Sequence, residues 1–203
     1  MKAVILASGS KKRSQILSSC GIRHKVYITN AEEAHLQNRS ARWNVMENAG
    51  RKALACAKIY KNNIIIAADT LVVLDKKLIG KPKNKDEAKK LFYSFSGRKL
   101  TVCTGLCVMD TAAAKKVCGA ETSYLYARRL LRHEFGRYFE SLKPYDKAGG
   151  FSIEGIGSFL YDDIRGSYFN ILGLPMGCLK DLFNKAGLEI LDICNAAAER
   201  PSL

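Results

Sequence analysis

The N-terminal segment joins a short apolar run to side chains that suit a phosphate group. Residues 3–7 are apolar, and Ser8-Gly9-Ser10 breaks the run before Lys11, Lys12 and Arg13 begin a predicted helix. Free backbone N–H groups at a helix N-terminus, together with two hydroxyls and three cations, favour phosphate binding. The segment matches neither the P-loop pattern nor the dinucleotide-binding glycine pattern. The alternative interpretation is that Ser10 only caps the helix while the basic side chains are solvated.

A second candidate is a carboxylate that follows a strand-like run. Asp69 comes directly after the apolar residues 64–68, where α/β sheets place groups that face a ligand. Because burying a bare carboxylate is costly, Asp69 must be solvated, paired or bound to a metal. The sequence therefore predicts a metal ligand or a general base that acts on water. Lys81, on the turn Gly80-Lys81-Pro82, is close enough in sequence to reach the same cleft. The alternative is a strand-end aspartate that caps the next turn.

The third candidate is segment 146–155, in which Asp146 and Lys147 precede two glycines and Glu154 follows them. Glycine allows close backbone approach, and Glu154 is predicted to coordinate a metal together with Asp69. A surface turn would explain the glycines but not the spacing of the charges. Neither Glu33 nor Lys52 indicates a functional site when taken singly. A single helical lysine such as Lys52 is usually solvated.

The elements that would position these residues alternate between strand and helix, which is typical of an α/β fold. A predicted hairpin over 71–79 and closely spaced central strands favour a mixed sheet over a purely parallel one. Strands are predicted over 3–7, 24–29, 64–68, 100–109, 123–126 and 159–164, and helices over 11–20, 40–60, 86–95, 130–142 and 175–186. We expect residues 1–190 to form a single domain, with 191–203 as a C-terminal tail.

The composition argues against a transmembrane protein and favours a cytoplasmic one. Of the 203 residues 47% are hydrophobic, yet no window approaches the roughly 18 apolar residues that a membrane span needs. The N-terminus lacks the pattern of a signal peptide. The seven cysteines form no CxxC pair, which indicates reduced thiols rather than disulfides or a zinc site. The net charge of +14 favours nucleic acid, a nucleotide or an anionic membrane surface as partner, although a general lysine excess gives the same charge.

Several short motifs occur in an order that resembles the Maf-type nucleoside triphosphate pyrophosphatases, the family of septum formation inhibitors. They extend from about residue 3 to residue 185, nearly the whole chain. The matching stretches are Leu6-Ala7-Ser8-Gly9-Ser10 with Arg13, Ala68-Asp69-Thr70, Gly80-Lys81-Pro82, Ser96-Gly97-Arg98 with Thr104-Gly105, Asp146-Lys147-Ala148-Gly149 with Ile153-Glu154-Gly155, and Gly173-Leu174-Pro175.

The resemblance implies an enzyme that uses Mg²⁺ or Mn²⁺ to hydrolyse modified or pyrimidine nucleoside triphosphates to the monophosphate and pyrophosphate, in nucleotide-pool house-cleaning. It implies a two-lobed α/β fold with a mixed β-sheet and flanking helices, similar to inosine triphosphate pyrophosphatases, and an active cleft between the lobes. It also implies roles for the matching polar residues: Asp69, Lys81 and Lys52 in catalysis, Ser8, Ser10, Lys12, Arg13, Thr70 and Glu154 in substrate binding, and Glu33, Asp69 and Glu154 in metal binding.

Three positions depart from the family's pattern. The family usually has Ser-Pro-Arg-Arg where this chain has Ser10-Lys11-Lys12-Arg13, and Lys12 cannot make the bidentate phosphate contact that arginine makes. Leu100 stands where many members carry histidine. Glu154 occupies a position that is commonly glutamine in the branch acting on dTTP and UTP. Because an ionised glutamate only accepts hydrogen bonds, Glu154 weakens a pyrimidine preference and leaves a 7-methyl-GTP-type preference open.

Two other functions are consistent with the sequence. One is a non-catalytic, nucleotide-sensing regulator of cell division and septum formation, against which the joint presence of Asp69, Lys81 and Arg13 argues. The other is a nucleic-acid-binding protein that exploits the net charge. No helix-turn-helix, zinc or RNA-binding-sheet pattern supports it, so we expect no stable nucleic-acid complex. We also expect no membrane association, and the resemblance implies a homodimer.

Overall fold

The computed structural model describes residues 2–142 and 152–195, so most of the third candidate segment (146–151) lies outside the described residues. Within these ranges the strands are β1 (Val4–Ala7), β2 (His24–Val26), β3 (Ile64–Leu74), β4 (Lys77–Ile79), β5 (Lys99–Asp110), β6 (Lys115–Ala127) and β7 (Tyr161–Arg165). The helices are α1 (Lys11–Ser19), α2 (Ala41–Ala57), α3 (Lys85–Phe95), α4 (Glu134–Ser141), α5 (Tyr168–Ile171), α6 (Met176–Ala186) and α7 (Ile190–Asn195), and a 3₁₀ helix covers Gly155–Leu160.

All these strands join one mixed sheet in the order β2-β1-β3-β5-β6-β7, with β4 paired to the far end of β3. β1 is parallel to both β2 and β3, whereas the β3–β5, β5–β6 and β6–β7 pairs are antiparallel. Helices flank both faces of this open sheet. The predicted α/β class with a mixed sheet is confirmed.

β3 is a single strand that passes through the predicted strand end. Asp69 and Thr70 lie in its middle, because β5 pairs with it residue for residue from Ile64 to Val73. The hairpin predicted over 71–79 is confirmed, because β4 pairs antiparallel with residues 72–74 of β3, but the predicted break between this hairpin and the strand over 64–68 is wrong. On the other side, β1 pairs only as far as Ala67 and β4 begins pairing at Val72. In the described chain, this leaves a gap in the sheet edge beside residues 68–71.

Strand alternation gives the sheet two faces with different partners. α2 covers one face through an apolar cluster that includes Ala49, Ile65 and Cys107. The opposite face carries two separate clusters: one includes Phe183 and is built with α1 and α6, and the other includes Phe139 and is built with α3 and α4. These two clusters form two lobes that share the sheet.

Helix ends coincide with capping residues that the sequence supplies. Ser10, Ser40 and Asn84 precede α1, α2 and α3, and each side chain accepts a hydrogen bond from a backbone N–H of the first turn. α6 begins after Pro175 and ends at Gly187, whose φ of 77° is the left-handed conformation that glycine adopts most easily. Ser10 therefore does cap α1, as the alternative interpretation of the N-terminal segment requires.

Several element bounds differ from those predicted. β2 ends at Val26 instead of Thr29 because its partner β1 ends at Ala7. α4 begins at Glu134 instead of Leu130, since the Glu134 carboxylate accepts a hydrogen bond from Leu131 N (2.7 Å) and holds residues 130–133 in a turn. α7 overlaps the start of the predicted tail, and its Ile193 is buried in the cluster of α1 and α6. No helix in the described ranges is both long and apolar enough to cross a membrane.

Candidate active site

Asp69 lies beside the gap in the sheet edge, with its carboxylate directed at α2. The residue is only 5% exposed. Lys52 Nζ donates to Oδ1 at 2.9 Å, and Asn48 Nδ2 donates to Oδ2 at 2.9 Å. Because a buried carboxylate is stable only when it is paired and hydrogen-bonded, these two contacts from α2 keep Asp69 in place.

The close approach of α2 to the sheet depends on Gly105. This residue is the cross-strand partner of Asp69 on β5. A Cβ added to Gly105 would lie 2.3 Å from the carbonyl oxygen of Val45 on α2, far inside van der Waals contact. The helix therefore rests on the backbone next to Asp69, and this contact brings Asn48 and Lys52 within hydrogen-bonding distance of the carboxylate.

Lys52 joins Asp69 to a second carboxylate. Its Nζ lies 2.6 Å from Glu33 Oε1 as well as 2.9 Å from Asp69 Oδ1. Burial acts to raise the pKa of Glu33, but the hydrogen bond from Lys52 and the charges of Lys52, His35 and Lys81 outweigh it and lower that pKa. Glu33 is therefore ionised at neutral pH, and one ammonium group bridges two carboxylates.

Two buried asparagines of α2 hold the loop that carries Glu33. Asn48 Oδ1 accepts from Ala34 N at 2.8 Å, and its Nδ2 donates to Ala34 O at 3.0 Å. One helical turn earlier, Asn44 makes the same pair of contacts with Leu36 at 2.8 and 3.0 Å. Asn48 differs from Asn44 in also contacting Asp69, so it connects the loop to the carboxylate.

Arg13 is buried between β3 and the turn that precedes α6. Its Nε donates to Gly173 O (2.7 Å), its Nη1 to Ser8 Oγ (2.8 Å) and Ala68 O (3.0 Å), and its Nη2 to Thr70 Oγ1 (2.8 Å). Burial lowers the pKa of Arg13, and the charges of Asp69 and Glu33 act to raise it. The guanidinium is thus occupied by protein acceptors, and it fixes the loop after β1 relative to the middle of β3.

The contacts of Arg13 continue across the sheet as a buried polar belt. Thr70 Oγ1 lies 3.0 Å from Thr104 Oγ1, which donates to Asn170 O at 2.9 Å, and Asn170 Nδ2 donates to Ser123 Oγ at 2.9 Å. The belt separates the two apolar clusters on this face of the sheet. Gly173 has a φ of 94°, and a Cβ there would lie 3.1 Å from Thr70 Oγ1, so a side chain would press on the belt.

Lys12 and Glu154 form an ion pair between the two lobes. Lys12 Nζ lies 2.8 Å from Glu154 Oε1, and each side chain is about one-third exposed (33% and 32%). Lys12 belongs to α1 of the first lobe, whereas Glu154 follows Ile153, which is buried in the cluster of the second lobe. Lys12 and Glu154, which both depart from the family's usual pattern, are therefore paired with each other.

The remaining predicted residues occupy different surroundings. Ser8 Oγ accepts from Arg13 and from Ser10 N (3.3 Å), while Ser10 Oγ accepts from Arg13 N (3.4 Å) as the cap of α1. Lys81 is exposed, and it acts on the site through its charge near Glu33. The fold therefore gathers Asp69, Lys52 and Glu33 in direct contact.

Two carboxylates beside Lys52 are the residues that could hold a divalent cation. Asp69 and Glu33 direct one oxygen each at the Lys52 ammonium group, which occupies the position between them. Mg²⁺ is commonly held by one or two carboxylates together with substrate phosphates and water. Within residues 2–142 and 152–195, no three histidine, cysteine, aspartate or glutamate side chains are grouped closely enough to hold a metal, so Glu154 does not join this carboxylate pair.

Sequence analysis missed the residues that hold the site together. Asn48 and Asn44 are buried polar residues, and nothing in their immediate sequence distinguishes them from solvated ones. Thr104 and Gly105 belong to a stretch that matches the family, but no role was predicted for either residue. Gly105 carried a usable signal, because a glycine inside an apolar strand indicates close approach of another backbone.

Comparisons with known proteins show the family of this chain. The family model described as "Maf-like protein" matches residues 3–186. A dTTP/UTP pyrophosphatase of Desulforamulus reducens is 36% identical over 191 residues, which cover 94% of this chain and 100% of that protein. A dTTP/UTP pyrophosphatase of Dictyoglomus turgidum is 39% identical over 191 residues, covering 94% of this chain and 99% of that protein.

A solved structure of a HAM1 protein from Coxiella burnetii has the same fold. It superimposes with a TM-score of 0.50 at 13% sequence identity, over 95% of this chain and 99% of that chain. The family model spans nearly the whole chain, and the Desulforamulus reducens relative aligns with it over that relative's full length. This chain therefore belongs to the Maf-like protein family.

Proposed function

We propose that this protein is a nucleoside triphosphate pyrophosphatase that cleaves its substrate to the nucleoside monophosphate and pyrophosphate. The observation that carries the proposal is the Asp69 carboxylate, buried and held at both oxygens by Lys52 and Asn48. A general base must be fixed in orientation if it is to take a proton from a water molecule. Relatives named dTTP/UTP pyrophosphatase support the same reaction class.

In the proposed reaction, water attacks phosphorus and the bond between the α- and β-phosphates breaks. Asp69 accepts the proton of the attacking water, and pyrophosphate leaves with the bridging oxygen. Lys52, Lys12 and Lys81 supply positive charge for the phosphates and for the charge that develops on the leaving group. Arg13 acts as a positioning residue, because its donors already bind Ser8, Ala68, Thr70 and Gly173.

The charge balance favours a metal cofactor, Mg²⁺ or Mn²⁺. Lys12, Arg13, Lys52 and Lys81 face Glu33, Asp69 and Glu154, which leaves a formal excess of one positive charge. A triphosphate brings about four negative charges, more than this excess neutralises. A divalent cation held by Asp69 and Glu33 would supply the missing charge, and its carboxylate ligands are the pair that already shares Lys52.

For the base, we propose dTTP and UTP as the substrates and Glu154 as the residue that tunes the preference. The names of the relatives, dTTP/UTP pyrophosphatase, favour the pyrimidines. Glu154 favours a second candidate, 7-methyl-GTP, because a carboxylate complements a base that carries positive charge. Its contact with Lys12 matters here, since a phosphate that takes Lys12 leaves Glu154 free to face the base. Removal of such nucleotides from the pool would be the house-cleaning role.

The experiment is a panel of pyrophosphate release with Mg²⁺ or Mn²⁺ on UTP, dTTP, CTP, 7-methyl-GTP, ITP and the remaining common ribonucleotides. The panel compares the unsubstituted protein with Glu154→Gln, which keeps the side-chain shape and removes the charge. We expect release from dTTP and UTP, with a higher kcat/KM for both in Glu154→Gln. Release from 7-methyl-GTP alone would overturn the pyrimidine proposal and keep the reaction class. Binding of nucleotide with no release from any of them would favour the sensing regulator.

A further inference from the structure

Cys107 and Cys118 lie directly opposite each other on neighbouring antiparallel strands. They are cross-strand partners in the β5–β6 register, on the face of the sheet that α2 covers. Opposed residues in an antiparallel pair have Cα atoms about 4.5 or 5.5 Å apart, and both values fall within the range of about 4.4–6.8 Å that disulfides span. The backbone therefore already holds these two cysteines at a distance that a disulfide can join.

The two thiols contact each other and differ in accessibility. Cys118 packs against the apolar cluster that contains Cys107, and both cysteines are free. Cys107 is fully buried, whereas Cys118 is partly exposed and lies against Gly50 of α2. A Cβ added to Gly50 would lie 3.8 Å from Cys118 Sγ, so the sulfur has ordinary contacts there rather than a crowded site. The pair thus has one accessible and one protected sulfur.

The surroundings make Cys118 the more reactive thiol. The hydrogen bond from Cys107 lowers the pKa of Cys118, burial acts to raise it, the charge of Lys116 lowers it and that of Glu47 raises it, with a net lowering. The same hydrogen bond and burial raise the pKa of Cys107. Because the thiolate is the attacking species in thiol–disulfide exchange, the partly exposed Cys118 is the residue that would react first.

We propose that Cys107 and Cys118 are a dithiol site that reacts with low-molecular-weight disulfides, such as oxidised glutathione, to form a reversible cross-strand disulfide. The Cys118 thiolate attacks one sulfur of oxidised glutathione, forms a mixed disulfide and releases one glutathione thiolate. Cys107 then gives up its proton and attacks Cys118 Sγ, which forms the Cys107–Cys118 bond and releases the second glutathione. The protein loses two hydrogens, and one disulfide molecule is reduced to two thiols.

Other cysteines are less suited to this reaction. Cys103 faces the same side of the sheet, but its sulfur accepts a hydrogen bond from Thr122 Oγ1 (3.6 Å) and burial raises its pKa. Cys20 is exposed and lies near Cys194. That pair is the main competitor, so the test removes Cys20.

The experiment treats the reduced full-length Cys20→Ser protein with oxidised glutathione, blocks remaining thiols with N-ethylmaleimide and measures mass. We expect loss of two hydrogens, two fewer blocked thiols than in the untreated sample, and reversal by dithiothreitol. Trypsin cleaves at Lys115 and Lys116, between the two cysteines, so the bond appears as a peptide containing Cys107 joined to one containing Cys118. Fragmentation distinguishes Cys107 from Cys103.

Two single variants test the order of attack in the same Cys20→Ser background. Cys107→Ser is expected to accumulate a stable glutathione adduct on Cys118, because no thiol is left to resolve it. Cys118→Ser, at a partly exposed position, is expected to remain unmodified at Cys107 under the same treatment. A linked peptide that joins any other pair of cysteines would overturn the proposal. An unchanged protein mass after treatment with oxidised glutathione would also overturn it.

Discussion

Asn48 offers a sharp test of how the site is held, because it joins Asp69 to the loop of Glu33. Asn48→Leu keeps a side chain of similar size and removes three hydrogen bonds: two with Ala34 and one with Asp69. We take about 1 kcal/mol for each neutral bond and about 2 kcal/mol for the bond to the charged carboxylate. The expected loss in the free energy of unfolding is therefore about 4 kcal/mol.

The matched control is Asn44→Leu, one turn earlier on the same helix. Asn44 is equally buried and clamps the same loop through Leu36, but it does not contact Asp69. Both variants are expected to be destabilised, whereas only Asn48→Leu frees the carboxylate. If the full 2 kcal/mol of that bond serves to orient Asp69, kcat falls roughly thirtyfold beyond the effect of Asn44→Leu.

The assay measures kcat and KM for pyrophosphate release from dTTP by both variants, at a temperature where circular dichroism shows each one folded. We expect the additional loss in Asn48→Leu to appear in kcat, with a similar KM in the two variants. Equal kcat values for the two variants would refute the reasoning, because the loop and not the contact with Asp69 would then be what matters.

Two further predictions concern the elements that carry the site. Gly105→Ala forces α2 away from β5, and we expect a loss of about 3 kcal/mol in unfolding free energy together with lost turnover. The control is Gly177→Ala, where a Cβ meets nothing within 4 Å, and it should change the free energy of unfolding by at most about 1 kcal/mol. Equal losses for the two variants in a denaturant titration would contradict the proposed contact between Gly105 and α2. Burial acts to raise the pKa of Asp110, but the bonds from Lys2 and two backbone N–H groups outweigh it and lower that pKa. The ionised Asp110 stabilises the fold above its unfolded-state pKa of about 3.9, and this stability is lost as pH falls through its lower folded-state pKa. Asp110→Asn should therefore be less stable than the unsubstituted protein at pH 7 and should differ less from it below about pH 4. The variant Asp162→Asn, at an exposed site, should be as stable as the unsubstituted protein throughout.

Local sequence was enough to find the central carboxylate but not its partners. Asp69 stands out because an apolar strand rarely carries a carboxylate, and that signal needs no knowledge of the fold. Asn48 and Lys52 become part of the site only when α2 packs on β5 across Gly105, which is a long-range contact. Glu33 enters through the loop that these asparagines clamp. Resemblance to a family supplied Glu33 and Lys52, while Asn48 came from the structure alone.

The fold was predicted in class but not in the detail that makes the site. The alternation of strand and helix predicted the α/β class, and the hairpin over 71–79 with the closely spaced central strands predicted the mixed sheet. The passage of β3 through Asp69 and Thr70 was not predicted, because pairing with β5 overrides the local break in the apolar run. Long-range contacts also decide the position of Arg13. The sequence around it suits a phosphate site, yet in the folded chain its guanidinium donates to protein acceptors.

The most direct test of the central claim is single-turnover product analysis with dTTP and Mg²⁺ for the unsubstituted protein and Asp69→Asn, with nucleotide binding measured for both. We expect the unsubstituted protein to yield dTMP and pyrophosphate in equal amounts. Asp69→Asn, which is close in size and keeps the contact with Asn48 available, should bind dTTP and release no pyrophosphate. Turnover by Asp69→Asn at near the unsubstituted rate would show that Asp69 is not the general base, and orthophosphate as the product would show that the protein is not a pyrophosphatase.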